Sequence, residues 1–145
     1  MRKCILFLIS LTLLAITGCI KTVSSEFELD NGDCIVMTLR TSGEYVLHKH
    51  ENEFYITLDD SEILTGHFID RESYYDYYDM VTHSADVLII EQTDNLLKYN
   101  ISDASHVEND ILLLIKESST GVMISSMQER NVVDKVFNMI SFHKK

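Results

Sequence analysis

The order of hydrophobic and polar residues predicts a chain built mostly of β-hairpins. Asn31-Gly32 is the strongest two-residue hairpin signal, and it predicts a turn joining residues 26–30 to residues 33–39. The expected cross-strand partners are Leu29 with Cys34 and Phe27 with Val36. A first pair of antiparallel strands therefore opens the domain.

A second hairpin is predicted around Glu51-Asn52, between residues 45–50 and 53–58. Alternation then pairs Leu47 with Ile56 and Tyr45 with Leu58. A further strand over residues 63–69 follows the turn at residues 59–61.

A helix is predicted from Arg71 to about Ala85, because the carboxylate of Asp70 can accept hydrogen bonds from the first free amides. Its hydrophobic face has helical spacing and comprises Tyr74, Tyr77, Tyr78, Val81 and Ala85. Beyond it, Asp94-Asn95 predicts a turn between strands 87–93 and 96–102. The expected partners there are Glu91 with Lys98 and Ile90 with Tyr99.

The last third contains an aliphatic run, a short strand and a helix. Residues 111–115 are all aliphatic, which is typical of a strand buried on both faces, and residues 121–125 form the next strand. Residues 126–129 read as a capping box that opens a C-terminal helix with a buried stripe of Val133, Val136, Phe137 and Ile140. His143, Lys144 and Lys145 would then complement the C-terminal end of that helix. The whole pattern predicts an α+β fold: an antiparallel sheet of hairpins, one mid-chain helix and one C-terminal helix.

Composition narrows the function. The chain has 145 residues, the size of one ordinary domain. Its formal charge is −11, and its largest basic cluster is the pair Lys144-Lys145, so the electrostatic footprint of a nucleic-acid-binding protein is missing. We therefore expect no nucleic-acid partner.

The N-terminus has the pattern of an export signal. Met1-Arg2-Lys3 is positively charged, and residues 5–16 form an apolar run that is too short to span a membrane. The run ends in Ile16-Thr17-Gly18-Cys19, which resembles the lipobox of bacterial lipoproteins. That resemblance implies cleavage after Gly18 and acylation of Cys19, the predicted lipidation site.

The resemblance divides the chain into three parts. Residues 1–18 are the signal peptide, residues 19–25 the lipidated cysteine and its tether, and residues 26–145 a single α+β domain. More than one acyl group on Cys19 gives stable membrane anchoring. The expected location is the cell membrane or the outer membrane, facing away from the cytoplasm. Ile20 stands where lipoproteins retained at the inner membrane carry Asp, which favours the outer membrane in a two-membrane cell and the outer surface in a one-membrane cell.

The second half of the domain adds a resemblance of arrangement. From Thr65-Gly66 through the tyrosine-rich helix to Ile140-Ser141-Phe142, it is similar to small lipoproteins of bacterial surfaces. Its plan is also similar to the Mog1/PsbP-like α-β sandwich. That resemblance implies no functional residue.

Candidate sites are few. His48 and His50 share one strand face, Glu53 is expected opposite His50, and His67 joins the row in one of two registers, so these four residues are the candidate ligands for Zn²⁺ or a similar ion. A solvated strand face explains the same pattern without a metal, and that interpretation is preferred. No cofactor is expected.

Three other features have both a plain and a functional interpretation. The acidic turn of Asp59, Asp60 and Glu62 is read as solvated rather than as a Ca²⁺ site. Cys34 is expected to be a buried free thiol. Tyr75 points away from the hydrophobic face of its helix and is the candidate partner-binding residue, because amphipathic aromatic side chains are enriched at interfaces.

Motifs for hydrolytic or nucleotide chemistry are missing from the sequence, so we expect no enzyme. The leading hypothesis is a non-enzymatic, lipid-anchored module that binds another envelope component or an exported protein. The alternative is a small inhibitor or exclusion factor directed against a basic hydrolase or a phage, since an acidic surface suits a basic target. A hydrolase is a third possibility and would need His and acidic residues clustered in a pocket.

Overall fold

The computed structural model describes residues 20–102 and 105–145. Within them the chain forms ten strands and two helices. The strands are β1 (Lys21–Glu28), β2 (Cys34–Thr41), β3 (Tyr45–His50), β4 (Glu53–Leu58), β5 (Ser61–Asp70), β6 (Val87–Gln92), β7 (Leu96–Ser102), β8 (Val107–Leu114), β9 (Thr120–Ser126) and β10 (Ile140–Lys144). The helices are α1 (Arg71–His83) and α2 (Arg130–Phe137).

The strands form two antiparallel sheets. A seven-stranded sheet has the order β3-β4-β5-β9-β8-β7-β6, and a three-stranded sheet has the order β1-β2-β10. The α+β class is confirmed in this broad sense, with more strand than the sequence pattern indicated.

One face of the seven-stranded sheet packs against the three-stranded sheet and α2. The hydrophobic core between them is centred on fully buried side chains from all three: Phe27, Ile35, Phe54, Ile124, Val133 and Val136. Three phenylalanine rings, Phe27, Phe54 and Phe68, contact one another in this core. Strands β8 and β9 contribute Ile111, Val122 and Ile124 to this layer, which explains the apolar residues on one of their two faces.

The opposite face of the seven-stranded sheet is covered by α1. Tyr74 and Val81 are buried there against Leu97, Tyr99 and Leu112. The N-cap prediction is confirmed, because Asp70 Oδ1 accepts a hydrogen bond from the Ser73 amide at 2.7 Å. The helix ends at His83, so the predicted extension to Ala85 is wrong.

The second hairpin has the predicted bounds and register, with Leu47 opposite Ile56 and Tyr45 opposite Leu58. In the first hairpin the register is one residue off the prediction, since Phe27 pairs with Ile35. The Leu29 amide donates to the Asp33 carbonyl, which closes a three-residue loop in place of a two-residue turn. Gly32 has φ +84°, the left-handed conformation that such a loop requires at its last position.

The hairpin of β6 and β7 also differs by one residue. Glu91 faces Lys98 as expected, but Tyr99 pairs with Ile89 because the register shifts between Ile89 and Glu91. Such a shift is a β-bulge, in which one residue is left without a cross-strand partner.

The prediction of a helix near the C-terminus is confirmed, but its predicted end and its predicted cap are both wrong. Helix α2 ends at Phe137, and residues 140–144 form β10, paired antiparallel with β2. The capping box is not made: the N-cap is Glu129 with no side-chain cap bond, and Ser126 Oγ instead donates to the Ile63 carbonyl at 2.5 Å. The terminal His143, Lys144 and Lys145 therefore do not complement a helix end.

The predicted tether is mostly strand. Residues 21–25 belong to β1 and pair with β2, with Lys21 opposite Thr41, so Ile20 is the only described residue before the sheet. The signal peptide and Cys19 lie outside the described residues. Among the described residues, neither helix has the length and hydropathy needed to cross a membrane.

Candidate interaction surfaces

An open acidic cleft lies at the end of the molecule where β1 finishes and α1 begins. Its volume is about 940 Å³, and its carboxylates are Glu26, Glu28, Asp30, Glu51 and Asp70. Lys49 is the basic side chain lining it; this lysine donates to the Glu26 carbonyl and lies 4.9 Å from the centroid of the Phe27 ring. Lys145 Nζ already pairs with the Glu26 carboxylate at 2.8 Å, so Glu28, Asp30 and Glu51 are the carboxylates that favour a further cationic group in the cleft.

Beside the cleft, Asp33 connects three parts of the chain. Its carboxylate accepts from the Ser119 amide at 2.7 Å and from Thr120 Oγ1 at 2.9 Å, and it pairs with Lys144 Nζ at 2.5 Å. The hydrogen bond from Lys144 is the largest cause of a lowered pKa at Asp33, and the bonds from Ser119 and Thr120 lower this pKa further. Together they outweigh burial of the carboxyl, which raises it. Asp33 is thus a structural junction between the two sheets.

A buried polar cluster lies near the N-terminal end of β8, the end away from Asp33. Asn109 and Asp110 are each 3% exposed, and burial, the largest cause, raises the pKa of Asp110 to about 6. Arg130 Nη2 donates to the Tyr99 carbonyl at 2.7 Å and to Asn100 Oδ1 at 2.5 Å.

Four polar atoms of that cluster are enclosed without a hydrogen-bond partner among the described residues: Asn109 Oδ1, Asp110 Oδ1, Arg130 Nε and Arg130 Nη1. A neighbouring cleft of about 420 Å³ is lined by Asn109 and Arg130. Because the four atoms have almost no accessible surface, they do not offer their hydrogen bonds to that cleft. Nothing local in Asn109-Asp110 marks this cluster as buried, so the sequence alone does not predict it.

The structure assembles the predicted histidine row. His50 faces Glu53, and Glu53 in turn faces His67, which is the register that brings His67 into the row. His48 stacks on Tyr55 with ring centroids 4.4 Å apart, and its Nε2 lies 3.0 Å from Thr57 Oγ1. Across residues 20–102 and 105–145, no three His, Cys, Asp or Glu side chains are grouped closely enough to hold a metal ion. Neither the histidine row nor the acidic turn at residues 59–62 forms such a group.

Tyr75 and Cys34 are both at least partly accessible. Tyr75 is 53% exposed and contacts the buried Tyr74 edge to face, at 5.3 Å between centroids. Cys34 is half-buried, so the expectation of a buried thiol is wrong: it lies on the face of β2 that alternates with the buried Ile35, Met37 and Leu39.

Strand β6 exposes three successive aliphatic side chains. It is the outer strand of the seven-stranded sheet, and Leu88, Ile89 and Ile90 are 62%, 36% and 46% exposed, although Val87 packs against the cluster under α1. The sequence predicts the strand but not its position at the edge. The run of aliphatic residues is the local signal, and it does not distinguish an edge strand from a buried one.

The chain was compared with family models, with curated proteins and with solved structures, and none of the three comparisons gave a match.

Proposed function

We propose that this protein is a lipid-anchored, non-enzymatic lipoprotein of a bacterial envelope whose domain binds another protein. Anchoring rests on the resemblance of residues 16–19 to a lipobox behind a short apolar run. Binding rests on one observation above the others, the exposed aliphatic strand β6. Exposed apolar patches on soluble domains mark interaction sites.

The anchoring half is tested with the full-length chain expressed in bacteria. Detergent phase partitioning and mass spectrometry of the N-terminal peptide should find an acylated Cys19 in the detergent phase. Cys19→Ser should move the chain to the aqueous phase or leave it unprocessed. Cys34→Ser is the matched control and should partition like the unmodified chain. Unchanged partitioning of Cys19→Ser would contradict the lipoprotein assignment.

The binding half is tested by crosslinking in living cells. A photoreactive amino acid is placed in turn at Leu88, Tyr75 and Asp30, which sample the β6 edge, the outer face of α1 and the acidic cleft. A defined adduct from at least one position is expected. If none of the three gives an adduct above the background of a buried control position such as Ile124, the domain is not a binding module.

An inhibitor of a basic hydrolase is the alternative, and the acidic cleft favours it. Complementary charge mainly speeds association, so such inhibition should weaken as salt is added. Glu28→Lys and Asp30→Lys should then reduce inhibition of a basic muramidase. Asp79→Lys, an equal charge change on α1, should not. If inhibition of the muramidase changes neither with salt concentration nor with any of the three substitutions, the cleft is not the inhibitory surface.

A further inference from the structure

Within the described residues the two sheets have four edge strands, which differ in how they are protected. Unpaired strand edges are templates for other strands, and natural proteins block them with charged side chains, Lys above all. Strand β1 contains Lys21 and two glutamates, β3 contains Lys49 and two histidines, and β10 contains His143 and Lys144. Strand β6 reads Val-Leu-Ile-Ile-Glu-Gln and has no basic residue.

The side chains of β6 are also largely exposed. Leu88 is 62% and Ile89 36% exposed on opposite faces of the sheet, and Ile90, the residue without a cross-strand partner at the β-bulge, is 46% exposed. Next to them on β7, Ile101 is 40% exposed and lies opposite Val87. In the described part of the chain no strand pairs with the outer edge of β6. A strand added there would find main-chain hydrogen-bonding groups and aliphatic side chains together.

The charges around this edge are negative. Asp86 precedes β6, Glu91 lies within it and Asp94 follows it, and all three are exposed. The cation in contact with this group, Lys98, is only 12% exposed and is held by Glu91 at 3.0 Å and Asp134 at 3.1 Å. A guest strand therefore meets the exposed carboxylates of Asp86 and Asp94, together with that of Glu91, which Lys98 partly neutralises, beside an apolar edge.

We propose that β6 is a docking strand that accepts an extended segment of another protein in which aliphatic residues alternate with Lys or Arg. Main-chain hydrogen bonds to a sheet edge supply affinity in this mode of binding, and alternate side chains supply specificity. Aliphatic side chains of the guest contact Leu88 and Ile90, and its cationic side chains lie near Asp86, Glu91 and Asp94. The inference rests on the proposed binding function and names the class of partner.

A second copy of this chain is the less suitable occupant. Pairing of two β6 strands brings together two sets of the same three carboxylates, on chains that each carry a formal charge of −11. Charge complementarity thus favours a cationic guest over self-association.

The test uses the full-length chain in mild non-ionic detergent and a fluorescent eight-residue peptide of alternating Lys and Val. Polarisation should show saturable binding that weakens several-fold when NaCl rises from about 50 to 500 mM. A peptide of alternating Glu and Val is the charge control and should not bind. Leu88→Lys and Ile90→Lys should each weaken binding at least tenfold, since both side chains are exposed and the fold does not depend on them. Val46→Lys is the matched control, a 49% exposed position on the opposite edge strand β3, and should leave binding unchanged.

Four outcomes overturn the inference. If the Leu88→Lys variant binds the Lys peptide as tightly as the unmodified chain does, the peptide binds elsewhere. If the Glu peptide binds as tightly as the Lys peptide does, charge complementarity does not select the guest. A dimer in sedimentation equilibrium that Leu88→Lys converts to monomer assigns the edge to a second copy of the chain. Crosslinks in cells from Tyr75 or Asp30 without any from Leu88 would reject the docking strand while keeping the binding function.

Discussion

At the scale of single residues, Gly66 is where the core tolerates least change. It lies on β5 directly opposite Phe54 of β4, and a Cβ built on it would be 2.2 Å from Phe54 Cζ. The phenylalanine ring thus occupies the space above the glycine. Both residues belong to the face that packs on the three-stranded sheet, so the ring has little room to move.

Gly66→Ala is expected to lower the free energy of unfolding by about 2–3 kcal/mol, the upper range for overpacking a rigid core. Urea denaturation measures it. Gly32→Ala is the comparison: its Cβ meets nothing within 4 Å, so only the strain of φ +84° remains, about 1 kcal/mol. Equal losses at the two positions would contradict the steric explanation.

Asp110 should make stability depend on pH in an unusual direction. Because burial raises its pKa from 3.8 to about 6, the folded chain binds a proton that the unfolded chain releases. Acidification from about pH 7 to pH 4 should therefore add stability, up to about 3 kcal/mol for a shift of this size. Asp110→Asn, measured by urea denaturation at both pH values, should lose this gain. The exposed Asp86→Asn should keep it, and a gain that survives Asp110→Asn would assign the proton to another group.

At the scale of elements, local patterns were sufficient where partners are close in sequence. The hairpin of β3 and β4 and the N-cap of α1 were predicted residue by residue, because a turn or a cap depends on neighbours a few positions away. Strand β10 was missed because its partner β2 is about a hundred residues earlier. Its Ile-Ser-Phe-His alternation has the strand period, but the helical stripe just before it extends by chance to Ile140.

Phe142→Ala tests the new strand. The centroid of its ring lies 5.8 Å from that of Phe54 and 6.0 Å from that of Phe68. The substitution should therefore lower the free energy of unfolding by about 2–3 kcal/mol, less than the loss of a fully buried phenylalanine. The exposed neighbour His143→Ala should cost less than about 0.5 kcal/mol. Thermal or urea unfolding of the pair gives the comparison. The reverse order of losses would mean that the strand presents its other face to the core.

The candidate surfaces show the same limit of sequence reasoning. The pairing of His50 with Glu53 was predicted because it follows from one hairpin, and His67 joins them in one of the two registers that the sequence left open. The exposure of Leu88 and Ile90 was not, because it depends on which strand of seven lies outermost. That order is decided by pairings such as β5 with β9, which no local pattern specifies.

At the scale of the whole molecule, Asp33 holds the two sheets and the C-terminus together. Asp33 lies in the turn between β1 and β2. Its carboxylate contacts Ser119 in the loop before β9 and Lys144 at the end of β10. No local motif predicts this junction, since its partners are 86 and more positions away.

Asp33→Ala should lower the free energy of unfolding by about 2–4 kcal/mol at neutral pH, because it removes two hydrogen bonds to a buried carboxylate and its pairing with the partly exposed Lys144. Because the folded pKa of Asp33 is lowered, its contribution is present above pH 4 and is lost as the pH falls through that lowered value. The difference in the free energy of unfolding between the unmodified chain and Asp33→Ala, measured by urea denaturation, should therefore be smaller at pH 2. Asp30→Ala, exposed in the same loop, should cost less than about 0.5 kcal/mol. A loss at Asp33 that does not change with pH would assign it to packing.

The start of β1 at Lys21 has a consequence for how the molecule would stand on a membrane. An acyl group on Cys19 would leave Ile20 alone between the lipid and the first strand, a reach of about 7 Å, so the domain could not tumble freely. Strand β1 runs from that point to the acidic cleft, a rise of about 26 Å for eight residues. If β1 stands along the membrane normal, this is about three Debye lengths at physiological salt, and the headgroup charge would not be felt at the cleft. The cleft would face the surrounding medium, and its occupants would arrive from solution rather than from the bilayer.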